Sequence, residues 1–224
     1  MMNSLIPDKT IERLSLYRRL LTYESASGRE NIYSHELAKF ANLSAVQVRR
    51  DLMFLKHSGS PKSGYKVNEI IDQISDLLGK SKRQEVAIFG VGNLGKAILS
   101  YFGGKMQDLP IVAAFDKNEE LKFKSNLICP VYHISRIKEV FEKNNIEIVI
   151  LAVPENEAQT IVDMIVPMGV RAIVNFAHIP LKVSPNIFVE NIDIMLTLEK
   201  AAYFSLQNGI LLRELNQRSR ENSL

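Results

Sequence analysis

The sequence contains little cysteine and no long apolar run. Cys129 is its single cysteine, which excludes an intramolecular disulfide and any zinc site built from several cysteines, and is typical of a protein of the reducing cytosol. No apolar stretch reaches the roughly 18 residues that a membrane-spanning helix needs. Residues 1–9 lack the apolar segment of a signal peptide. These absences favour a cytoplasmic globular protein, and 224 residues suffice for one large domain or two small ones.

Positive charge is concentrated in the first third of the chain. Residues 1–80 contain 12 Lys and Arg against 9 Asp and Glu, whereas the remaining residues contain 16 of each sign. Between Lys39 and Lys66, six basic residues accompany a single acid, Asp51. Such a concentration is expected of a surface that contacts a phosphate backbone, although a solvated basic face explains the charge alone equally well.

The first third predicts three helices followed by a hairpin. Helical patterns begin at Asp8, after Ser34 as an N-cap, and after Ser44 as an N-cap. Residues 59–64 form a turn-rich tip, and an extended strand follows. This order predicts a winged helix-turn-helix domain over residues 1–80.

The third predicted helix carries candidate DNA-reading side chains. An apolar stripe recurs at i, i+4 and i+7 from Val48, so Gln47 and Arg50 point away from it and Arg49 lies on its flank. Arg and Gln form bidentate hydrogen bonds with base edges, and we expect Asp51 to orient a neighbouring arginine. A protein-interaction module with surface arginines is the alternative. The predicted DNA-binding residues of helix and wing are Ser44, Gln47, Arg49, Arg50, Lys56, Lys62, Ser63, Gly64 and Tyr65.

A phosphate-binding glycine turn follows the polar linker at residues 79–84. A β-rich run over residues 85–89 leads directly into Gly90, Gly92 and Gly95, and a helical pattern comes after them. In this strand-turn-helix context the three glycines permit a tight turn, a close approach to a pyrophosphate, and close packing of helix on strand. The helix N-terminus offers amide donors to the anion. A glycine turn that packs without a ligand is the alternative.

The carboxylate of Asp116 favours NAD or NADH over their phosphorylated counterparts. It ends the next predicted strand and lies 21 residues after Gly95, the spacing of an acid that accepts hydrogen bonds from the adenine ribose. A negative charge there disfavours a 2′-phosphate, although the adjacent Lys117 weakens this preference.

Alternating strands and helices continue to residue 191 and predict a doubly wound parallel sheet, a Rossmann domain over residues 81–191. Strands at residues 146–153 and 171–176 end in side chains that we expect on the nicotinamide side, although ordinary packing at strand ends is an equal alternative. The predicted cofactor-binding residues are Gly90, Val91, Gly92, Asn93, Leu94, Gly95, Asp116, Lys117, Val153, Pro154, Asn175, Phe176 and Ala177.

The last part of the chain predicts a long helix from Asn191 to about residue 218. It is too apolar to lie free in water. Because a palindromic operator requires a two-fold symmetric protein, we expect residues 192–224 to form a dimerisation helix buried in a partner subunit.

Groups that a dehydrogenase needs are scarce in this sequence. His178 is the one histidine close to a predicted strand end, and no second domain is large enough to hold a substrate. Cys129 is expected to be a packed thiol. We therefore predict no catalytic residue and no metal ligand. Two alternatives remain: an NAD-dependent oxidoreductase with an N-terminal assembly module, and a nucleotide-binding scaffold that recognises protein.

The chain resembles the Rex family of redox-sensing repressors over nearly its full length. The resemblance is carried by residues 47–52, 63–67, 90–95, 153–154, 175–177 and 189–193. It implies a homodimer that binds palindromic operators, in which NADH weakens DNA binding and NAD competes with NADH. It also implies that each last helix inserts between the domains of the partner, and that Arg19, Tyr101 and Asp193 form a polar triad that rearranges between ligand states.

Two features depart from the family pattern. The wing at residues 55–62 lacks the Phe-Gly and Arg-Gly pairs that the family usually has, which affects the expected operator preference. Ile194 stands where the family commonly has Phe, which affects the expected discrimination between NADH and NAD.

Overall fold

The computed structural model describes residues 6–56, 64–79, 82–102, 108–118 and 127–221, with backbone alone from residue 210 onward. The chain divides into two compact units, Met1–Arg83 and Gln84–Leu224. The predicted boundary at residue 80 lies close to this division, which assigns the terminal helix to the second unit.

The first unit consists of helices and one short antiparallel ribbon. Its elements are α1 (Asp8–Ala26), β1 (Asn31–Ile32), α2 (Ser34–Ala41), α3 (Ala45–Leu52), β2 (Tyr65–Lys66) and α4 (Val67–Leu77). Strand β2 pairs with β1, a two-residue strand between the first two helices that was not predicted from the sequence. The expected strand over residues 65–67 is one residue too long, because Val67 already begins α4.

Local capping determines how α2 leads into α3. Asn42 ends α2 in the left-handed conformation, with φ of 54°, and the Ser44 hydroxyl accepts a hydrogen bond of 3.1 Å from the amide of Gln47. The expected N-cap of α3 at Ser44 is therefore confirmed. Ser34, expected as the cap of α2, is instead its first residue, because Tyr33 occupies the cap position.

A six-stranded parallel sheet forms the centre of the second unit. Its strand order is β5-β4-β3-β6-β7-β8, so the order reverses between β3 and β6, where α/β proteins bind ligands at the carboxyl ends of the strands. The elements are β3 (Glu85–Phe89), α5 (Asn93–Phe102), β4 (Ile111–Asp116), β5 (Val131–His133), α6 (Ile137–Lys143), β6 (Ile146–Leu151), α7 (Glu155–Ile165), β7 (Ala172–Asn175), β8 (Phe188–Asn191) and α8 (Ile194–Glu221).

The central strand is apolar because helices cover both of its faces. Val86, Ala87, Ile88 and Phe89 are each at most 5% exposed, as expected of parallel sheets. Strand β5 and helix α6 were not anticipated, and His133, expected between elements, is the last residue of β5. The predicted fold class, a winged helix-turn-helix domain followed by a Rossmann domain, is confirmed.

The terminal helix begins three residues later than expected, because Asn191 still belongs to β8. Its first four turns carry large apolar side chains that lie open in the single chain. These are 53 to 71% exposed: Ile194, Met195, Leu196, Leu198, Tyr203, Phe204 and Leu206. Along the described residues, no helix combines the length and the apolar character that crossing a membrane requires.

Candidate functional site

Helix α3 presents a basic outer face over a buried inner one. Val48 and Leu52 are 0% and 1% exposed and anchor the helix in the core of the first unit. Arg49 and Arg50 are exposed on the other side, as the helical periodicity predicts. Arg49 also donates a hydrogen bond of 3.1 Å to the hydroxyl of Ser34 on α2. The outer face therefore offers one arginine tied to α2 and a second at the surface.

The wing is described only in part. Gly64 is buried and Tyr65 is half-buried beside β1, whereas Lys56 is exposed just after α3. Lys62 and Ser63, both expected to bind DNA, lie outside the described residues. The described part of the wing therefore offers the exposed Lys56, directly after α3, and the strand β2, which pairs with β1.

A buried ionised network joins α3 to α1. Asp51 is 1% exposed and accepts hydrogen bonds from Nε and Nη2 of Arg13, at 2.6 and 2.7 Å, and from the Tyr17 hydroxyl at 2.8 Å. Burial by itself raises the pKa of a carboxyl group, but the bonds from Arg13, Tyr17 and Gln47 outweigh it and hold the pKa of Asp51 below its ordinary value. The expectation that Asp51 orients a neighbouring arginine is wrong: its arginine comes from α1, 38 residues away.

Gln47 belongs to the same network. Its amide nitrogen donates to Asp51 Oδ1 at 2.8 Å, and its side chain is half-buried rather than pointing freely away from the helix.

Two glycines of the turn have no room for a side chain. Gly90 has φ of +90°, and a Cβ there would overlap the carbonyl oxygen of Ala152. A Cβ on Gly95 would overlap the carbonyl oxygen of Gly90, so α5 starts in direct contact with the end of β3. The turn thus has the tight geometry that the spacing of its glycines predicts.

The third glycine faces open space. A Cβ on Gly92 would meet no atom within 4 Å, and α5 begins at the next residue, Asn93. The first amides of a helix lack partners within the helix and favour an anion. An open approach to these amides fits the diphosphate of a dinucleotide. Val91 is fully buried and holds the turn on the core, whereas Leu94 is 41% exposed.

Asp116 is held beside this turn at the end of β4. One of its carboxylate oxygens accepts a 2.7 Å hydrogen bond from the amide of Val91, and the other accepts one of 2.9 Å from Asn118. The carboxylate therefore lies next to the turn, as the ribose-binding prediction requires. Lys117 forms an ion pair of 2.9 Å with Glu157 on α7.

An open cleft of about 610 Å³ lies at the carboxyl ends of the strands. It brings together five of the predicted cofactor-binding residues, which are Leu94, Val153, Pro154, Phe176 and Ala177. Asn175 is buried behind it, at 1% exposed, and bonds to Ile179, Asn191 and Ala177. Asn175 therefore fixes the strand ends instead of lining the cleft.

Four further cleft residues were not predicted as cofactor-binding: Ala152, Glu155, Asn156 and His178. Glu155 and Asn156 begin α7, and their position directly after a strand end is the signal that identifies them. His178 also lines the cleft, and its Nδ1 lies 3.7 Å from Asp193 Oδ1. Asp193 also caps α8 by accepting a hydrogen bond from Leu196.

The residues of the expected polar triad lie in separate parts of the chain. Arg19 is on α1 of the first unit, on the rim of a groove of about 570 Å³ that Leu16, Leu20, Tyr23, Glu24 and Phe40 also line. Tyr101, 64% exposed, is on α5, and Asp193 precedes α8, both in the second unit. Their joint role stays a prediction.

Two family models match the two units. Residues 5–52 match a model described as the N-terminus of a putative DNA-binding protein. Residues 81–179 match a model described as a CoA binding domain. The matched ranges contain helix α3 and the glycine turn, respectively.

Curated relatives extend over both units. The redox-sensing transcriptional repressor Rex of Listeria welshimeri is 37% identical over 199 residues, which are 89% of this chain and 93% of that protein. The Rex repressor of Thermosipho africanus is 35% identical over 93% of this chain and 100% of its own length.

Solved structures of a Rex-family repressor, RSP, share the fold. RSP in complex with β-NAD⁺ and operator DNA has a TM-score of 0.84 and 30% identity, covering 96% of this chain and 98% of that one. RSP in complex with β-NADH has a TM-score of 0.82 and 30% identity, covering 95% and 100%. Because relatives above 30% identity match nearly the whole length, this chain belongs to the Rex family of redox-sensing transcriptional repressors.

Proposed function

We propose that this protein is a repressor whose binding to operator DNA is controlled by the ratio of NADH to NAD. A homodimer binds a palindromic operator through two copies of α3, and NADH binding in the second unit releases the DNA. The observation that carries the proposal is the presence on one chain of a reading helix and a glycine turn with a carboxylate beside it. Membership of a repressor family decides against the oxidoreductase and scaffold alternatives.

The nucleotide acts as a signal in this proposal. Open amides at the start of α5 bind the diphosphate, Asp116 accepts hydrogen bonds from the adenine ribose, and the cleft beside Phe176 and Ala177 receives the nicotinamide. The carboxylate of Asp116 selects NAD and NADH against their phosphorylated counterparts. The ion pair of Lys117 with Glu157 supports this preference, since the ammonium group already has a partner.

Coupling between the two ligands is reciprocal. If NADH prefers a dimer geometry whose reading helices miss the spacing of the half-sites, operator affinity falls by the same factor by which DNA weakens NADH binding. Typical couplings are about 1 to 3 kcal/mol, or roughly fivefold to 150-fold in affinity. NAD competes for the same site without this preference and so leaves the operator bound.

Dimerisation through α8 explains its open apolar side chains. Seven large apolar side chains exposed along one helix are typical of a subunit interface. The groove beside Arg19, lined by Leu16, Leu20 and Phe40, supports insertion of the helix of a partner.

Leu206→Glu is expected to shift the dimer toward monomer in light scattering, because Leu206 is 71% exposed in the single chain. Lys200→Ala, on the same helix, is the control, and an unchanged dimer in Leu206→Glu would contradict the assignment. The cytoplasm is the compartment that this function implies.

Operator binding measured by fluorescence anisotropy tests the proposal directly. A duplex selected from a randomised palindromic pool is titrated with the protein at fixed salt, and NADH and NAD are then added separately. We expect tight binding that NADH releases and NAD does not. Binding that ignores both nucleotides would refute the redox switch, and the absence of any selected duplex would refute DNA recognition.

Arg50→Ala separates the reading helix from the nucleotide site. Arg50 is exposed on α3, so its loss should weaken operator binding about tenfold to a hundredfold and leave NADH binding unchanged. Lys138→Ala removes the same charge from an exposed position of α6 and should leave operator affinity within about twofold. Operator binding that survives Arg50→Ala would contradict the assignment of α3.

A further inference from the structure

The amide group of Gln47 has a defined orientation at the edge of the reading helix. Asp51 accepts hydrogen bonds from Arg13 through both carboxylate oxygens and from the Tyr17 hydroxyl, so it is ionised and offers acceptors alone. The Gln47 atom that lies 2.8 Å from Asp51 Oδ1 must therefore be the nitrogen. An oxygen there would place two acceptors in contact inside the protein.

The remaining branch of the amide points away from the network. Because Nε2 is directed inward at the buried Asp51, Oε1 occupies the other side of the half-buried Gln47 side chain. Gln47 lies one turn before Asp51, near the N-terminal end of α3, the end that helix-turn-helix proteins bring to base edges. The reading face therefore carries a fixed acceptor at this position.

Bases differ in what they offer to such an acceptor. In the major groove, adenine and cytosine present an exocyclic amino donor, whereas guanine presents N7 and O6 acceptors and thymine presents an O4 acceptor with a methyl group. We infer that Asp51 is a positioning residue for sequence recognition: by holding the amide nitrogen of Gln47, it makes Gln47 select a base with an exocyclic amino group, adenine or cytosine. This inference rests on the proposed function.

The positioning is rigid because the network spans two helices. Arg13 and Tyr17 extend from α1 and hold both oxygens of Asp51, so the carboxylate cannot rotate to release Gln47 without losing a bond to a charged partner. Thr10 also reaches Asp51 Oδ1, at 3.5 Å. The orientation of a side chain on the DNA-facing side is thus determined on α1.

Deleting single functional groups from the DNA tests the inference with the full-length protein. Site selection with the wild type and with Gln47→Ala identifies the base pair whose preference depends on Gln47. At that pair the amino group is removed by using purine in place of adenine, or 2-pyrimidinone in place of cytosine. We expect this to weaken wild-type binding about tenfold and to leave Gln47→Ala binding within about twofold.

Other outcomes overturn the inference separately from the proposed function. Coupling of Gln47 to guanine N7 or O6 without coupling to any amino group would mean that Gln47 recognises the base by donating an N–H of its amide nitrogen, which has a second hydrogen, and would overturn the inference. No base pair that depends on Gln47, with operator binding intact, would remove Gln47 from recognition. No selected operator at all would instead refute the proposed function.

Asp51→Asn tests the positioning step. It should reduce the coupling between Gln47 and the amino group while binding to random duplex stays unchanged, because the orientation of the amide is no longer imposed. A purely structural role of Asp51 predicts equal losses on operator and random DNA, and that result would contradict positioning. If Asp51→Asn does not fold, Tyr17→Phe, which removes one bond to the carboxylate, provides the same comparison.

Discussion

The two units position their functional groups by different physical means. In the first, an ionised carboxylate at 1% exposure, Asp51, ties α3 to Arg13 and Tyr17 of α1. In the second, an apolar sheet, with Phe89 and Phe115 stacked at 4.7 Å, supports a turn in which backbone meets backbone without side chains. The first unit should therefore be sensitive to charge and pH, and the second to volume.

The largest effect is expected in the second unit from Gly95→Ala. The added Cβ would overlap the carbonyl oxygen of Gly90, and a backbone atom cannot move aside as a flexible side chain can. We expect a loss of about 4 kcal/mol in the free energy of unfolding, measured by urea denaturation, together with the loss of NADH binding.

Gly92→Ala is the matched control for Gly95→Ala. Its Cβ would meet no protein atom within 4 Å, so stability should stay within about 0.5 kcal/mol. NADH affinity should nevertheless fall, because the methyl group enters the space that we assign to the diphosphate. Equal destabilisation by both substitutions would contradict the volume argument.

In the first unit, Arg13→Ala should cost about 3 kcal/mol of stability. It leaves the buried carboxylate of Asp51 without its charged partner, which typically costs about 3 to 5 kcal/mol. We expect the lower end, since the Arg13 side chain is 22% exposed and water can replace part of it. Lys9→Ala removes a salt bridge between side chains that are 79% and 58% exposed, and should change stability by at most about 0.5 kcal/mol. Similar losses of stability in Arg13→Ala and Lys9→Ala would contradict the larger contribution that we assign to the buried ion pair.

Stability of the first unit should also fall at both extremes of pH. Hydrogen bonds hold the pKa of Asp51 below its ordinary value of 3.8, so its contribution is full above that value and disappears as the pH falls through the folded pKa. Burial, and then the bond to Asp51, raises the pKa of Tyr17 above its ordinary value of 10.0, so its contribution is lost as the pH rises beyond 10.0.

Urea midpoints measured by circular dichroism across pH check this prediction. Glu139→Gln is the control at acid pH: Arg136 lowers the pKa of this carboxyl to about 2, but both side chains are exposed, at 45% and 42%, so screening by solvent should keep the contribution of the pair to stability small. Acid midpoints of Tyr17→Phe that match the wild type would contradict the role of the network.

The smallest effect is expected at Cys129, in the second unit. Burial raises the pKa of its thiol to about 11, and the residue is 8% exposed. Thiolate is therefore scarce near neutral pH, and labelling by a thiol reagent should wait for opening of the sheet. Cys129→Ser should leave the release of operator by NADH within about twofold. Rapid labelling of the folded protein would contradict the packed thiol.

Much of the fold could be predicted from short-range patterns. The strand over residues 85–89 and Asp116 at the end of the next strand were predicted, because continuous apolar runs, glycine spacing and a terminal carboxylate are local signals. Strand β1 has two residues and β5 has three, so neither carries a periodic pattern. Helix α6 has seven residues, about two turns, and its periodic pattern is also too short to predict it.

Candidate site residues were predictable where a local sequence pattern places them. The glycines, Asp116 and the exposed arginines of α3 belong to this class. The bond of Asn175 to Asn191 was not predictable, because it joins β7 to β8 across 16 residues of sequence. The same holds for His178, which reaches the cleft through the packing of the loop after β7.

The sequence by itself determined the two modules, their order, the family, and which face of α3 is polar, because these depend on spacing along the chain. Tertiary structure alone decided which arginine pairs with Asp51 and which way the amide of Gln47 turns. These depend on α1 and α3 packing together across 38 residues of sequence separation. A charge buried by that packing requires an ionic partner, and no local sequence pattern specifies which residue the packing brings beside it.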